Sequence, residues 1–188
     1  MFKSILIVAL TLVMVVVFVQ PTATEEIITT TMPSTTSIVA TTTTTTTTNT
    51  TKTTTKLNSK MGLFKSYTDY HLLSKNSKQW QLQKQAYTDG YGLRKIGDAY
   101  LVALGSYYGT KLGTRYTVTL SNGSVFDIIL CDSKQNRHTD AKNQVCLSNG
   151  SVLEFYVDSA KLPKTVRRSG SISSIDKFSG YVISIDSQ

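Results

Sequence analysis

Cysteine, histidine and basic runs are all scarce in this chain, and each scarcity removes a class of function. Only two cysteines (Cys131, Cys146) and two histidines (His71, His138) occur in 188 residues. No cysteine pair has zinc-ligand spacing, which argues against a structural zinc. A mixed site of Asp132, His138 and Asp140 has the right donor types, but so little histidine makes a metal a poor expectation, and no cofactor is expected. No cysteine closes the N-terminal apolar stretch, so a bacterial lipoprotein anchor is unsupported. The longest basic run is Arg167-Arg168, so no nucleic-acid partner is expected. No nucleophile elbow accompanies the serines, so a Ser-His-Asp triad has no context. Helix-forming segments are nearly missing after residue 100, which excludes an α/β alternation.

What is present begins with Met1-Phe2-Lys3 and an apolar stretch from Ile5 to Val19, broken only by Thr11, then Gln20-Pro21. As a helix it would be ~22 Å long, short of a ~30 Å bilayer core. Residues 1–21 therefore read as a secretory signal peptide or, if uncleaved, a membrane anchor. Either way the chain is expected to be exported and to be secreted or cell-surface. Residues 22–60 are dominated by threonine, unbroken from 41 to 48. Such a segment cannot repay the entropy of ordering, so it reads as a disordered Thr-rich linker, with a mucin-like glycosylated stalk as the sharper version.

From Met61 onward sixteen Lys/Arg stand against ten Asp/Glu, a formal +6 within a chain of net +8. That balance suits an anionic partner such as a wall polymer or membrane surface. Residues 61–99 form a lead-in segment, with a short helix predicted over Lys78 to Ala86, capped by Asn76-Ser77 and packed by Trp80. Beyond it AYLVAL, RYTVTL, SVFDIIL, SVLEFYV and GYVISI are short, β-rich runs bounded by Gly, Asn, Ser or Asp. The domain over 100–188 is therefore expected to be mainly β, with five or six strands, as a small barrel.

Six letters, LSNGSV, occur twice, starting at Leu120 and Leu147, 27 residues apart. Asn122-Gly123 predicts a type I′ hairpin turn between RYTVTL and SVFDIIL, and Asn149-Gly150 predicts the opening of SVLEFYV. Turn chemistry accounts for both copies without invoking glycosylation sequons. Cys131 and Cys146 either form one disulfide, worth ~3 kcal/mol, or remain two free thiols.

VALGSYYG, then KLGTRYTVTL, then a strand closing on Asp132, then NGSVLEFYVD resembles the bacterial three-aspartate (3D) domain. That family is a double-psi β-barrel related to lytic transglycosylase A, rare lipoprotein A and expansins. The likeness covers residues 100–158 and rests on Gly113-Thr114-Arg115, Asp132 and Glu154. It departs from the family at Cys131-Asp132-Ser133-Lys134, where Asp-Thr-Gly-Gly would stand, and at Glu154, which replaces Asp. His138-Thr139-Asp140 is similar to the His-Phe-Asp of expansin-type barrels, so Glu154 and Asp140 are rival positions for the catalytic acid.

The resemblance implies a six-stranded double-psi barrel acting on peptidoglycan or another wall polysaccharide. Asp132, Asp140 and Glu154 become the catalytic candidates, with His138 and Lys134 against the sugar, while Tyr107 and Tyr108 either stack on the sugar or, as the favoured role, pack in the core. A lytic transglycosylase uses the sugar's own hydroxyl as nucleophile, so one acid suffices, whereas hydrolysis needs a pair. Glu154 and Asp158 lie ~13 Å apart along one strand and cannot be that pair. Asp132 and Glu154, expected on neighbouring strands, could be. The alternative to catalysis is a wall-binding or virion-surface module on a stalk.

Overall fold

The computed structural model describes residues 53–57 and 61–188. The apolar segment at 1–21 and nearly all of the Thr-rich stretch lie outside the described residues. The described chain is mainly β, with nine strands in one mixed sheet and two short α-helices. No helix among the described residues is long and apolar enough to cross a membrane.

β5 (Ala99–Leu104) is the central strand, and its composition explains why. All six residues are apolar and buried, as a strand covered on both faces requires. Tyr100, Val102 and Leu104 face the main core, and Ala99, Leu101 and Ala103 face a second, smaller one. β6 (Arg115–Leu120) instead alternates, burying Tyr116, Val118 and Leu120 while Arg115, Thr117 and Thr119 stay part-exposed. In the main core Tyr100, Phe126, Phe155 and Phe178 meet with ring centroids 5.1–6.3 Å apart, mostly edge to face.

β6 and β7 (Val125–Ser133) form the expected hairpin around the first LSNGSV. The turn differs in type from the I′ expectation. Gly123 alone takes positive φ (+84°), its amide donates to Leu120 O (3.0 Å), and Leu120 N donates to Ser124 O (2.9 Å). Ser121-Asn122-Gly123 is thus a three-residue loop with glycine in the left-handed position. Asn122 keeps negative φ because its side chain, accepting from Ser124 N at 3.0 Å, already supplies the turn's hydrogen bond.

The second copy makes the same side-chain bond, Ser151 N to Asn149 Oδ1 at 2.9 Å, with Gly150 at φ +67°. Its loop is one residue wider, closed by Cys146 N donating to Ser151 O (3.0 Å). It does not open a strand directly. β8 begins only at Glu154 and runs to Val157.

The segment at 61–99, read as a lead-in with a short helix, also contributes strands to the sheet. β2 (Ser66–Asp69) pairs in parallel with β8, and β3 (Tyr87–Thr88) and β4 (Arg94–Ile96) extend the edge beside β5. Thr54–Lys56, inside the stretch read as linker, forms β1 against β9 (Val182–Ser187). The five strands legible in sequence become nine because these four are too short and polar to show a period. α1 (Lys78–Gln85) matches its prediction, with Ser77 Oγ accepting from Trp80 N at 3.1 Å. Leu82 and Ala86 pack on the second core, while Trp80 stacks on Tyr70 at 5.9 Å.

β5 pairs in parallel with β7 on one edge and antiparallel with β8 on the other. Residues 61–65 link the β2 side to β9. Val182 N donates to Met61 O (2.9 Å), and the buried Lys65 ammonium donates to Gly180 O (2.7 Å) and Gly62 O (3.0 Å). Two carbonyl acceptors are what allow a lysine with no exposed surface there.

Candidate functional site

The cleft of interest lies where β2, β8 and the segment after β7 meet. β8 delivers its side chains alternately: Phe155 and Val157 enter the main core, while Glu154 and Tyr156 share the other face. Tyr156 is covered by the second core, and Glu154, beyond that cover, opens into a cleft of about 440 Å³. Ser66 and Tyr67 of β2 line it, with Phe64, Lys134, His138, Cys146 and Asn149. No described residue donates a hydrogen bond to the Glu154 carboxylate, so its oxygens are available to a ligand.

Lys134 is fixed opposite it. Its ammonium donates to Ser151 O (2.7 Å) and Ser151 Oγ (2.9 Å), and Ser66 Oγ donates to the same hydroxyl (3.0 Å). Ser151 is fully buried, so this anchor is rigid. Burial lowers the Lys134 amine to about 8, against the opposing pull of the negative charge of Glu154. His138 ends a 3-10 turn (Asn136–His138) and is exposed at the cleft rim.

Of the two states open to Cys131 and Cys146 in sequence, the structure has the free thiols. Cys131 lies beneath α1 in the second core, with Gln83 Nε2 3.5 Å from its sulfur, and burial pushes its thiol up to about 12. Cys146 lines the cleft with Sγ 3.2 Å from Ser148 Oγ. Desolvation raises its pKa, but hydrogen bonds from Ser148 and Asn149 and the charge of Lys134 outweigh that and leave it lowered.

The other two candidate acids do not join Glu154 in the cleft. β7 and β8 are not neighbours, because β5 lies between them: Ala103 pairs with Asp132 on one side and with Glu154 on the other. Asp132 opens into a separate hollow with Lys78, Gln79 and Lys111. Its Oδ1 accepts from Gln79 Nε2 (2.9 Å) and Ser133 N (2.9 Å), and its Oδ2 from Tyr156 Oη (2.9 Å). Asp140 Oδ1 accepts from the amides of Gln144 (2.6 Å) and Val145 (3.0 Å), which closes the loop carrying Cys146. Slight desolvation raises the Asp140 carboxyl, and those amide bonds bring it below the usual range.

Tyr107 and Tyr108 lie outside the cleft lining. Their rings meet edge to face at 5.2 Å, with Tyr107 half exposed and Tyr108 buried in the core. Phe64, Ser66, Tyr67, Ser148 and Asn149 are among the cleft residues that sequence reasoning did not select, and Cys146 was singled out only for its thiol state. The second LSNGSV was the available signal, since its Ser148 and Asn149 line the cleft and its Ser151 anchors Lys134. Among the described residues no three His, Cys, Asp or Glu side chains gather as metal ligands.

No family model, curated protein or solved structure matches the chain. The functional reading therefore rests on these residues and their geometry.

Proposed function

We propose that this is an exported cell-wall domain of the double-psi barrel kind that takes a peptidoglycan strand into the Glu154 cleft and cleaves it with that single acid. One observation carries the reading: Glu154 is the one candidate carboxylate that lines the cleft with no donor on its oxygens. A single-acid cleft suits lytic cleavage, in which Glu154 gives its proton to the leaving glycosidic oxygen as the C–O bond breaks. The proton returns from the sugar hydroxyl that closes the anhydro ring, so no water and no second carboxylate are consumed. Lys134, held by Ser151, and Asn149 supply donors for sugar hydroxyls, with Tyr67 and Phe64 as apolar surface.

Two features favour the barrel. Two parallel pairs, β5 with β7 and β2 with β8, interrupt an otherwise antiparallel sheet. The hydrogen bonds that tie 61–65, just before β2, to the chain at the start of β9 are of the kind a closed arrangement would need.

A non-catalytic wall-binding module is the second reading, and the bonding of Asp132 and Asp140 favours it. Both acids are spent on local donors, which removes the carboxylate pair that hydrolysis needs. Incubation with purified peptidoglycan decides between them. Anhydro-muropeptides seen by mass spectrometry support cleavage, co-sedimentation without release supports binding alone, and the absence of both overturns the wall assignment.

A further inference from the structure

α2 (Lys164–Ser169) breaks the local rules by which a short helix is stabilised. Its N-cap is Pro163, which offers no side-chain cap, and its first turn carries no acid. Lys164 places a cation at the positive end of the helix dipole. Lys164 and Arg168 stand at i and i+4, a like-charge spacing that destabilises isolated helices. The helix persists because Val166 is fully buried on the opposite face and Gly170, at φ +68°, ends it.

Lys164, Arg167 and Arg168 are all exposed and share one face, since i, i+3 and i+4 lie together on a helix. None of the three forms a salt bridge among the described residues, and Asp158, the nearest acid in sequence, is paired with Lys161 at 3.2 Å. Departures from local consistency with no internal compensation mark functional surfaces. The position of this ridge is also informative: Gly170, directly after it, lines the Glu154 cleft.

We infer that the Lys164–Arg167–Arg168 face of α2 binds a phosphodiester wall polymer attached to the glycan that occupies the cleft. This rests on the cell-wall reading above and names the substrate class as glycan carrying anionic polymer, not bare glycan. Three cations on one face match a chain that presents repeated single negative charges, and contact with it relieves the repulsion along the helix. The polymer leaving the cleft past Gly170 meets the ridge at once.

The test uses the full chain and two separate probes: immobilised poly(glycerol phosphate), and peptidoglycan stripped of phosphate polymer. Wild type is expected to bind the polymer and to lose roughly 20-fold in affinity for a fourfold rise in salt, as about three phosphate contacts require at single-strand slopes. Lys164→Gln/Arg167→Gln/Arg168→Gln is expected to lose about tenfold or more for the polymer while retaining stripped peptidoglycan unchanged. The uncharged variant guards against misfolding, and an unchanged thermal midpoint confirms that the fold is intact. Equal polymer affinity in wild type and variant overturns the inference, as does tighter binding of wild type to duplex DNA or to anionic phospholipid vesicles. Stripped peptidoglycan retained with no polymer bound overturns the ridge and leaves the cleft reading standing; polymer bound with no stripped peptidoglycan retained does the reverse.

Discussion

The Tyr156 hydroxyl donates to Asp132 Oδ2 at 2.9 Å, so a carboxylate that flanks Ala103 from the far side is tied to the second core. With Gln79 on its other oxygen, Asp132 is a structural acceptor between α1 and the sheet. Asp132→Ala is expected to destabilise the fold by ~1–3 kcal/mol, since the buried Tyr156 hydroxyl loses its acceptor. Urea unfolding measures this, and peptidoglycan retention by the folded fraction is expected to be unchanged.

Glu154 is expected to behave in the opposite way. Its carboxylate accepts no described hydrogen bond, so Glu154→Gln should alter stability by less than ~0.5 kcal/mol, as for partly exposed sites without partners. Activity or retention on peptidoglycan should nevertheless disappear. A large drop in thermal midpoint for this variant would assign the side chain to the fold and not to the cleft.

Lys65, fully buried, and Lys134, partly buried, make stability depend on alkaline pH. Burial lowers both Lys65 and Lys134 to about 8 in the folded chain, against 10.5 as the ordinary value. Between those values the unfolded chain binds more protons, so stability rises as pH increases through 8 and the charge penalty is relieved. Tyr108 and Tyr156 act the other way: burial raises both above 10, so the stability they contribute is lost above that pH. Denaturant midpoints are therefore expected to climb from pH 7.5 toward about 10 and then fall. Lys65→Met should flatten the climb; a climb of full size in that variant would contradict the assignment.

Thiol chemistry separates the two cysteines. Cys146 lines the cleft with a lowered pKa, while Cys131 is buried with its thiol pushed up to about 12. An aromatic disulfide reagent is expected to titrate one thiol in the native chain and the second only on unfolding. Cys146→Ser should abolish the native reaction. Two native equivalents would place Cys131 at the surface.

Gly105 is expected to be the most sensitive glycine for the cleft. A Cβ there would overlap the Asn143 carbonyl, and Asn143 belongs to the loop that carries Cys146. Gly105→Ala should displace that loop and weaken peptidoglycan retention about tenfold or more, a shift of the kind misplaced groups produce. Gly123→Ala, in open space but at φ +84°, should cost only ~1 kcal/mol and leave retention intact.

The strands that sequence exposed are those with a strong period or an apolar run. AYLVAL and RYTVTL emerge with the same bounds, and the first LSNGSV marks its hairpin. β2 was not legible, because SYTD has no alternation and owes its extended form to parallel pairing with a strand far later in the chain. That pairing also builds the cleft, so Ser66 and Tyr67 could not be chosen from their letters. Glu154 was readable, as alternation sets it apart from Phe155 and Val157. Asp132 and Asp140 are the same residue type in similar settings, and only their hydrogen bonds distinguish them from it.

The most direct measurement compares anhydro-muropeptide release from purified peptidoglycan by wild type, Glu154→Gln and Asp132→Asn at equal folded concentration. Release by wild type and Asp132→Asn, with none from Glu154→Gln, is the predicted result. Release that survives in Glu154→Gln, or that vanishes in Asp132→Asn while the fold is intact, would contradict the single-acid cleft.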